Sequence, residues 1–177
     1  MQHTLGGAVF HSDDRRPPGI RTPDRETAEE FGEPVAVLRD APAGWFTLLG
    51  RQSSDGFLHC LDVGYHRGTD LMATVQTSRP LPVSHRVRPF STPESELWVF
   101  LADSGRIDHG TFPEDLGPVR HEVVLRLDGV ATRVAGSRSH GCTSASLPCG
   151  AGHLVVTAPD AHWEAVADLV LRRAGDF

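Results

Sequence analysis

Apolar and polar residues alternate with a period of two along most of this chain, the mark of strands with one buried face. Val35, Val37 and Leu38 open the pattern, Trp45-Phe46-Thr47-Leu48-Leu49 continues it, and Phe57, His59, Leu61, Val63 and Tyr65 share one face of a third run. After a polar turn at 66–70, Leu71, Ala73 and Val75 repeat it, so 45–77 predicts a three-stranded meander. The strongest local signal is Asp128-Gly129 between the apolar runs 123–127 and 130–134. That dipeptide accepts the positive φ angles of a two-residue type I′ turn, so a hairpin is predicted there. A further strand over 153–158 follows the turn residues Leu147-Pro148-Cys149-Gly150-Ala151-Gly152.

The pattern lapses in four places. Residues 1–33 hold few large apolar side chains and read as a polar tail. Within it Thr22-Pro23-Asp24, Glu26 and Gly32 predict a helix of one or two turns lying on the surface, anchored by Ala28 and Phe31 alone. Residues 78–93 carry four prolines and predict an extended connection. The run 97–102 is short and apolar; Thr92-Pro93-Glu94 before it looks like a helix start, but its brevity and the Ser104-Gly105 stop favour a buried strand. From Pro159-Asp160, the stripe Trp163, Val166, Ala167 and Val170 with Arg172-Arg173 at its end predicts a C-terminal helix, with a final strand over 169–172 as the rival. The fold class expected is α+β: a single β-rich domain of antiparallel hairpins over 34–177, a sandwich or partly open barrel, with a C-terminal helix.

Composition narrows the function classes. A length of 177 residues fits one domain, and 39% hydrophobic with 23% charged residues fits a packed one. No apolar run approaches a membrane span, and Met1-Gln2-His3-Thr4 lacks the basic and apolar start of a signal peptide, so a soluble, cytoplasmic protein is expected. Seventeen basic against 23 acidic residues give a charge of -6 and argue against a nucleic-acid partner. Every basic residue other than His is Arg, which excludes lysine chemistry. Three Cys are too few for a disulfide scaffold.

Candidate chemistry gathers in one loop. Ser139-His140-Gly141-Cys142 resembles the nucleophile motif of the L,D-transpeptidase family, in which Cys attacks a peptide carbonyl and an upstream His is its base. The resemblance implies Cys142 as nucleophile and His109, in His109-Gly110-Thr111, as base; His140 is the adjacent imidazole. It covers four contiguous residues and one His-Gly pair, Thr143-Ser144 stands where the family carries Arg, and the interval from His109 is longer than the family's. The same loop offers His140, Cys142, Cys149 and His153, a Cys2His2 set of the kind zinc takes, although six residues separate the two Cys. The plainer reading makes both Cys small buried residues and both His surface groups.

His59, Tyr65, His66, Asp62 and Asp70 cluster along one hairpin, with His59 expected among apolar neighbours. The acids Glu94, Glu96, Asp103, Asp108, Glu114 and Asp115 are expected in loops, with nothing in their spacing to pair two across a cleft. No complete catalytic set emerges. The function expected is therefore a non-enzymatic binding or accessory module, recognising a protein or small molecule through a sheet edge or its loops, with a homodimer left open and no nucleic-acid or membrane partner. The alternative is a Cys/His enzyme or a zinc protein centred on 140–153. No cofactor is expected, zinc being the one the loop admits, and Cys142 is expected not to be a nucleophile.

Overall fold

A computed structural model of the chain describes residues 2–5, 8–11, 24–80 and 91–177. Strands β1 (Gln2–Leu5) and β2 (Ala8–His11) form a hairpin that packs against the edge of the main body. The body is one sheet of nine strands: β3 (Val35–Leu38), β4 (Phe46–Ser54), β5 (Phe57–Arg67), β6 (Asp70–Ser78), β7 (Val119–Leu127), β8 (Val130–Ser139), β9 (Cys142–Cys149), β10 (Gly152–Pro159) and β11 (Asp168–Arg172). Their spatial order is β3-β11-β7-β8-β9-β10-β6-β5-β4, antiparallel throughout except for the β11–β7 pair. A β-rich α+β fold is what the structure has, and its sheet is two meanders, β4–β6 and β7–β10, joined where β6 pairs with β10.

Turn chemistry sets the registers. Asp55-Gly56, Asp128-Gly129 and His140-Gly141 all have positive φ at both residues, the requirement of a type I′ turn, and each closes a two-residue hairpin. Gly152 has a different task. A Cβ there would lie 1.8 Å from the Ser78 carbonyl oxygen, so only glycine lets β10 start so close to the end of β6.

The sheet coils. Its inner face carries the main core, with Leu61, Val63, Val75, Leu125, Leu154 and Leu169 all buried. The coil brings β3 over β5 and β6. The amides of Ala36 and Leu38, which point away from β11, donate instead to Thr77 Oγ1 and Tyr65 OH, each at 2.9 Å. Two side chains thus cap the outer edge of β3, satisfying backbone groups that would otherwise be stranded in the core.

Three short helices stand among the described residues, and they correct the sequence reading. Helix α1 (Arg25–Phe31) is capped by Asp24, whose carboxylate accepts from the Thr27 amide, and ends at Gly32 at φ 73°. The helix is not a surface ornament, because Phe31 is fully buried in the main core beside Val35, so a boundary drawn at 33/34 passes through that core. The tail stretch 12–23 and most of the Pro-rich connection, 81–90, lie outside the described residues.

Helix α2 (Pro93–Asp103) occupies the run expected to be a strand. The start signal decides it: Thr92 and Ser95 exchange side-chain bonds with each other's amides, and Pro93 takes the first turn, where its missing N–H costs nothing. Glu94, Glu96 and Asp103 are therefore helical, not loop residues. The expected C-terminal helix is also corrected. After a 3-10 turn, Asp160–His162, helix α3 (Trp163–Val166) makes one turn, and the chain continues as β11, the rival element. The alternation Leu169, Leu171 against Val170, Arg172 fits the slot between β3 and β7, and filling that slot buries Leu169.

Candidate functional site

Helix α2 lies on the outer face of the sheet, over β8, β9, β10 and β6. Its apolar side, Leu97, Phe100 and Leu101, meets Leu116 and Cys142 in a second, smaller core. The sheet beneath is polar. By register, Ser137 on β8, Ser144 on β9, Thr157 and His153 on β10, Gln76 on β6 and Asp62 on β5 share that outer face.

Most of these groups are satisfied. Ser137 donates to Glu94 at 2.7 Å and holds its carboxyl below the ordinary range; Ser144 and Thr157 bond each other at 2.8 Å; Ser139 donates to the Leu116 carbonyl at 2.7 Å. The His153 ring nitrogen Nε2 donates to the Ser91 carbonyl at 2.9 Å and so pins the approach to α2. The exception is the pair Asp62 and Gln76, cross-strand neighbours on β5 and β6. Asp62 Oδ1 and both amide atoms of Gln76 are shut off from solvent with no partner at hydrogen-bonding geometry. Gln76 is 2% exposed.

Glu96 of α2 joins them. Burial pushes its carboxyl up, and the Ser91 and Gln76 side chains, which approach it without Gln76 reaching full hydrogen-bond geometry, pull it part of the way back. Burial and the neighbouring charges of Glu96 and Asp103 push Asp62 up to about 8. Asp103, raised by its own burial, is partly offset by His109. Cys60, two residues before Asp62 on the same face, is raised well above a free thiol by burial and then by Asp62 and Glu96. This cluster was invisible in the sequence, where Asp62 was grouped with His59, Tyr65, His66 and Asp70 along one hairpin and Glu96 with the loop acids. The available signal was Cys60, Asp62, Gly64 and His66 alternating with the core residues of β5: a polar strand face becomes a site when a helix covers it.

The residues singled out by sequence fall elsewhere. Ser139-His140-Gly141-Cys142 is the β8–β9 hairpin turn, His140 having φ 52° and Gly141 φ 69°. His140 Nδ1 lies 2.8 Å from Ser139 Oγ. Cys142 is fully buried against Leu97, Phe100, Leu101 and Leu116, and burial, only partly offset by Arg106, pushes its thiol up to about 11. His109 is exposed in the loop after α2, and the acid it acts on is Asp103. Of the zinc set, His140 and Cys142 stand at one end of β9, Cys149 and His153 at the other. Eight strand residues span on the order of 20 Å, so the two pairs do not meet. Among the described residues no three His, Cys, Asp or Glu converge as metal ligands, and the three Cys are free. Tyr65 is on the inner side of β5 as expected, bonded to β3 and pushed up to about 12 by burial. A register shift opposite Gln52/Ser53 leaves His59 as the extra residue and puts Leu58 in the main core, so the alternation expected to place Phe57 and His59 beside Leu61 breaks there.

A second feature is the edge of β7. Leu127 and Val130 close a two-residue hairpin, which makes odd-numbered β7 residues the ones bonded to β8 and turns the N–H and C=O of even-numbered ones outward. Arg126 donates outward to Ala167 at 2.7 Å, where β11 begins. From there β11 runs parallel towards and past Leu127, so on the Val119 side Arg120, Glu122 and Val124 have no strand paired to their outward groups among the described residues, and all three are exposed. A shallow concavity of about 280 Å³ lined by Arg120, His121, Glu122, Arg133, Val134 and Ala135 adjoins this edge. Among the described residues no helix is long and apolar enough to cross a membrane. No family model matches the chain, and neither a curated protein nor a solved structure matches it.

Proposed function

We propose that the protein is a non-enzymatic binding module, built on a partly open barrel, that takes up an extended acidic segment of another protein as an added strand along β7. The observation that carries this reading is the row of outward backbone groups at Arg120, Glu122 and Val124. An unpaired strand edge is a template for a further strand, and the main-chain bonds it offers give affinity without a deep pocket. The terminal strand just beyond β11 is treated differently, since Thr77 and Tyr65 cap β3. The slot above β11 runs from Val119 to Val124, about 20 Å at strand spacing, enough for six residues. Charge favours an acidic occupant: the β7–β8 hairpin carries Arg120, Arg126, Arg133 and Arg138 against Glu122 and Asp128, in a chain whose net charge is -6, although Arg120, Arg133 and Arg138 already pair with Glu94, Glu122 and Asp160. Exposed Val119 and Val124 add apolar contact for alternate side chains.

Against the Cys/His reading stands the burial of Cys142, because a thiol pushed to about 11 supplies almost no thiolate at neutral pH. The test is an array of hexapeptides alternating acidic and β-branched residues, the tightest binder then being followed by backbone hydrogen exchange. The amides of Arg120, Glu122 and Val124 should gain protection while those of His121 and Val123, already in the ladder, change little. Protection elsewhere, or no binder in the array, overturns the reading. Protection of the same amides in the protein alone, rising with its concentration, would replace the peptide with a second copy pairing β7 to β7.

A further inference from the structure

We propose that Asp62, Gln76 and Glu96 form a binding site for one hard divalent cation, Ca²⁺ or Mg²⁺, held between β5, β6 and α2. The argument begins with what the fold leaves undone. On the outer face of the sheet Ser137, Ser139, Ser144 and Thr157 all find partners, yet Asp62 Oδ1 and both amide atoms of Gln76, adjacent by register, are buried without one. Unsatisfied buried polar atoms are costly and uncommon, so three in adjacent residues mark a place where something else binds.

The chemistry of the surroundings says what. The charges acting on Asp62 are those of Glu96 and Asp103, both acids, and Glu96 feels Asp103 in turn. Two carboxylates, an amide oxygen and the Ser91 hydroxyl beside Glu96 make an oxygen-only set crowded with negative charge. Hard cations take such donors and complete their shells with water, Mg²⁺ commonly with one or two carboxylates. Oxygen donors of this kind suit a hard cation better than a soft one, which takes thiolate or thioether sulfur. Likewise, no three His, Cys, Asp or Glu converge among the described residues, so a site of fewer charged ligands plus an amide and water is the form available. The β4 residue opposite Asp62 is Gly50, which brings no side chain of its own to the strand pair.

Chelator-treated protein at pH about 8 is titrated separately with CaCl₂ and MgCl₂ by calorimetry, and its melting is followed in parallel. One of the two should bind with a stoichiometry of one and raise the melting temperature. Asp62→Asn and Glu96→Gln should each weaken binding by roughly tenfold or more, the scale expected for disturbing a ligand set. Without metal neither variant should melt below the wild type, since each removes one of two crowded like charges. No saturable uptake of either ion by the wild type overturns the proposal, as does uptake that survives in both variants.

Discussion

The two faces of the sheet are built on opposite principles, and β5 shows both in adjacent residues. Leu61, Val63 and Tyr65 point into the main core, where aliphatic side chains from β6, β7, β10 and β11 close around them and the one polar tip, the Tyr65 hydroxyl, is bonded to β3. Cys60 and Asp62 point the other way, into a face of serines, threonines, a glutamine and carboxyls that α2 then covers. The inner face gains from area removed from water and needs no further partner. The outer face has buried polar groups whose cost must be met one hydrogen bond at a time, and at Asp62 and Gln76 it is not met by the protein itself. A domain this size had apolar residues enough to cover one face. Under α2 the buried apolar contact is confined to Leu97, Phe100, Leu101, Leu116 and Cys142, and the rest of the covered sheet stays polar.

The sharpest way to break this comparison is to strike both sides of one strand. Leu61→Ala opens a cavity in the main core and should lose about 2 to 5 kcal/mol in a denaturant melt. A loss under about 1 kcal/mol would mean that the inner face is not the stabilising one. Gly152→Ala belongs in the same range or above, because the added Cβ meets the backbone of Ser78, which cannot swing away as a side chain can.

One residue along, the sign reverses. A carboxyl raised to about 8 in the folded protein and near ~3.9 when unfolded binds its proton more tightly in the native state. Its stabilising contribution is therefore complete below the unfolded value and is lost as pH rises through the folded one, so in metal-free buffer the protein should be more stable at about pH 5 than at about pH 8.5. Glu96, also raised, acts in the same direction. Asp62→Asn should raise the stability at the alkaline end and flatten the slope. A wild-type melting profile that rises with pH across this window would show that Asp62 ionises freely.

The inner face was legible in the sequence and the outer one was not, for a physical reason. Period-two alternation reports which side of a strand is apolar, and the turn residues report where it reverses, so β4, β5, β6 and the β7–β8 hairpin follow directly from the residues. What covers the polar side is a tertiary matter. Once Leu97–Leu101 is read as a strand, Glu96 and Asp103 cannot share a helical stripe seven residues apart, and the meeting of Glu96 with Asp62 disappears. The capping exchange of Thr92 and Ser95 held the correct answer, but the compact apolar run outweighed it. Ser139-His140-Gly141-Cys142 shows the reverse case, a motif whose residues also serve local geometry. Its His-Gly occupies the two positive-φ positions of a tight turn, a role met by many sequences, and the likeness to a nucleophile motif resides in turn chemistry.

A smaller effect separates the thiols. Cys142 lies under α2 and Cys60 is buried beside Asp62, whereas Cys149 sits half-exposed at the far end of β9. Alkylation of the native protein near neutral pH should mark Cys149 first, with Cys142 following only as fast as α2 opens. Faster labelling at Cys142, located by mass spectrometry, would restore it as a nucleophile.

The smallest change expected in stability carries the most information about binding. At Glu122 the amide points away from β8, so Glu122→Pro removes a donor that the sheet does not use, and an edge position tolerates the fixed φ. The cost should be ~1 kcal/mol or less, part of it the exposed Arg133–Glu122 pair at 3.3 Å, which at its exposure contributes little. Val123→Pro, one residue on, breaks a ladder bond to Val134 and crowds the core, and should cost ~3 kcal/mol or more. Equal losses at the two positions would show that the outward groups of β7 are already paired, leaving no open edge for a partner strand. Unequal losses, with peptide affinity reduced in Glu122→Pro alone, would separate what β7 does for the fold from what its free edge does for recognition.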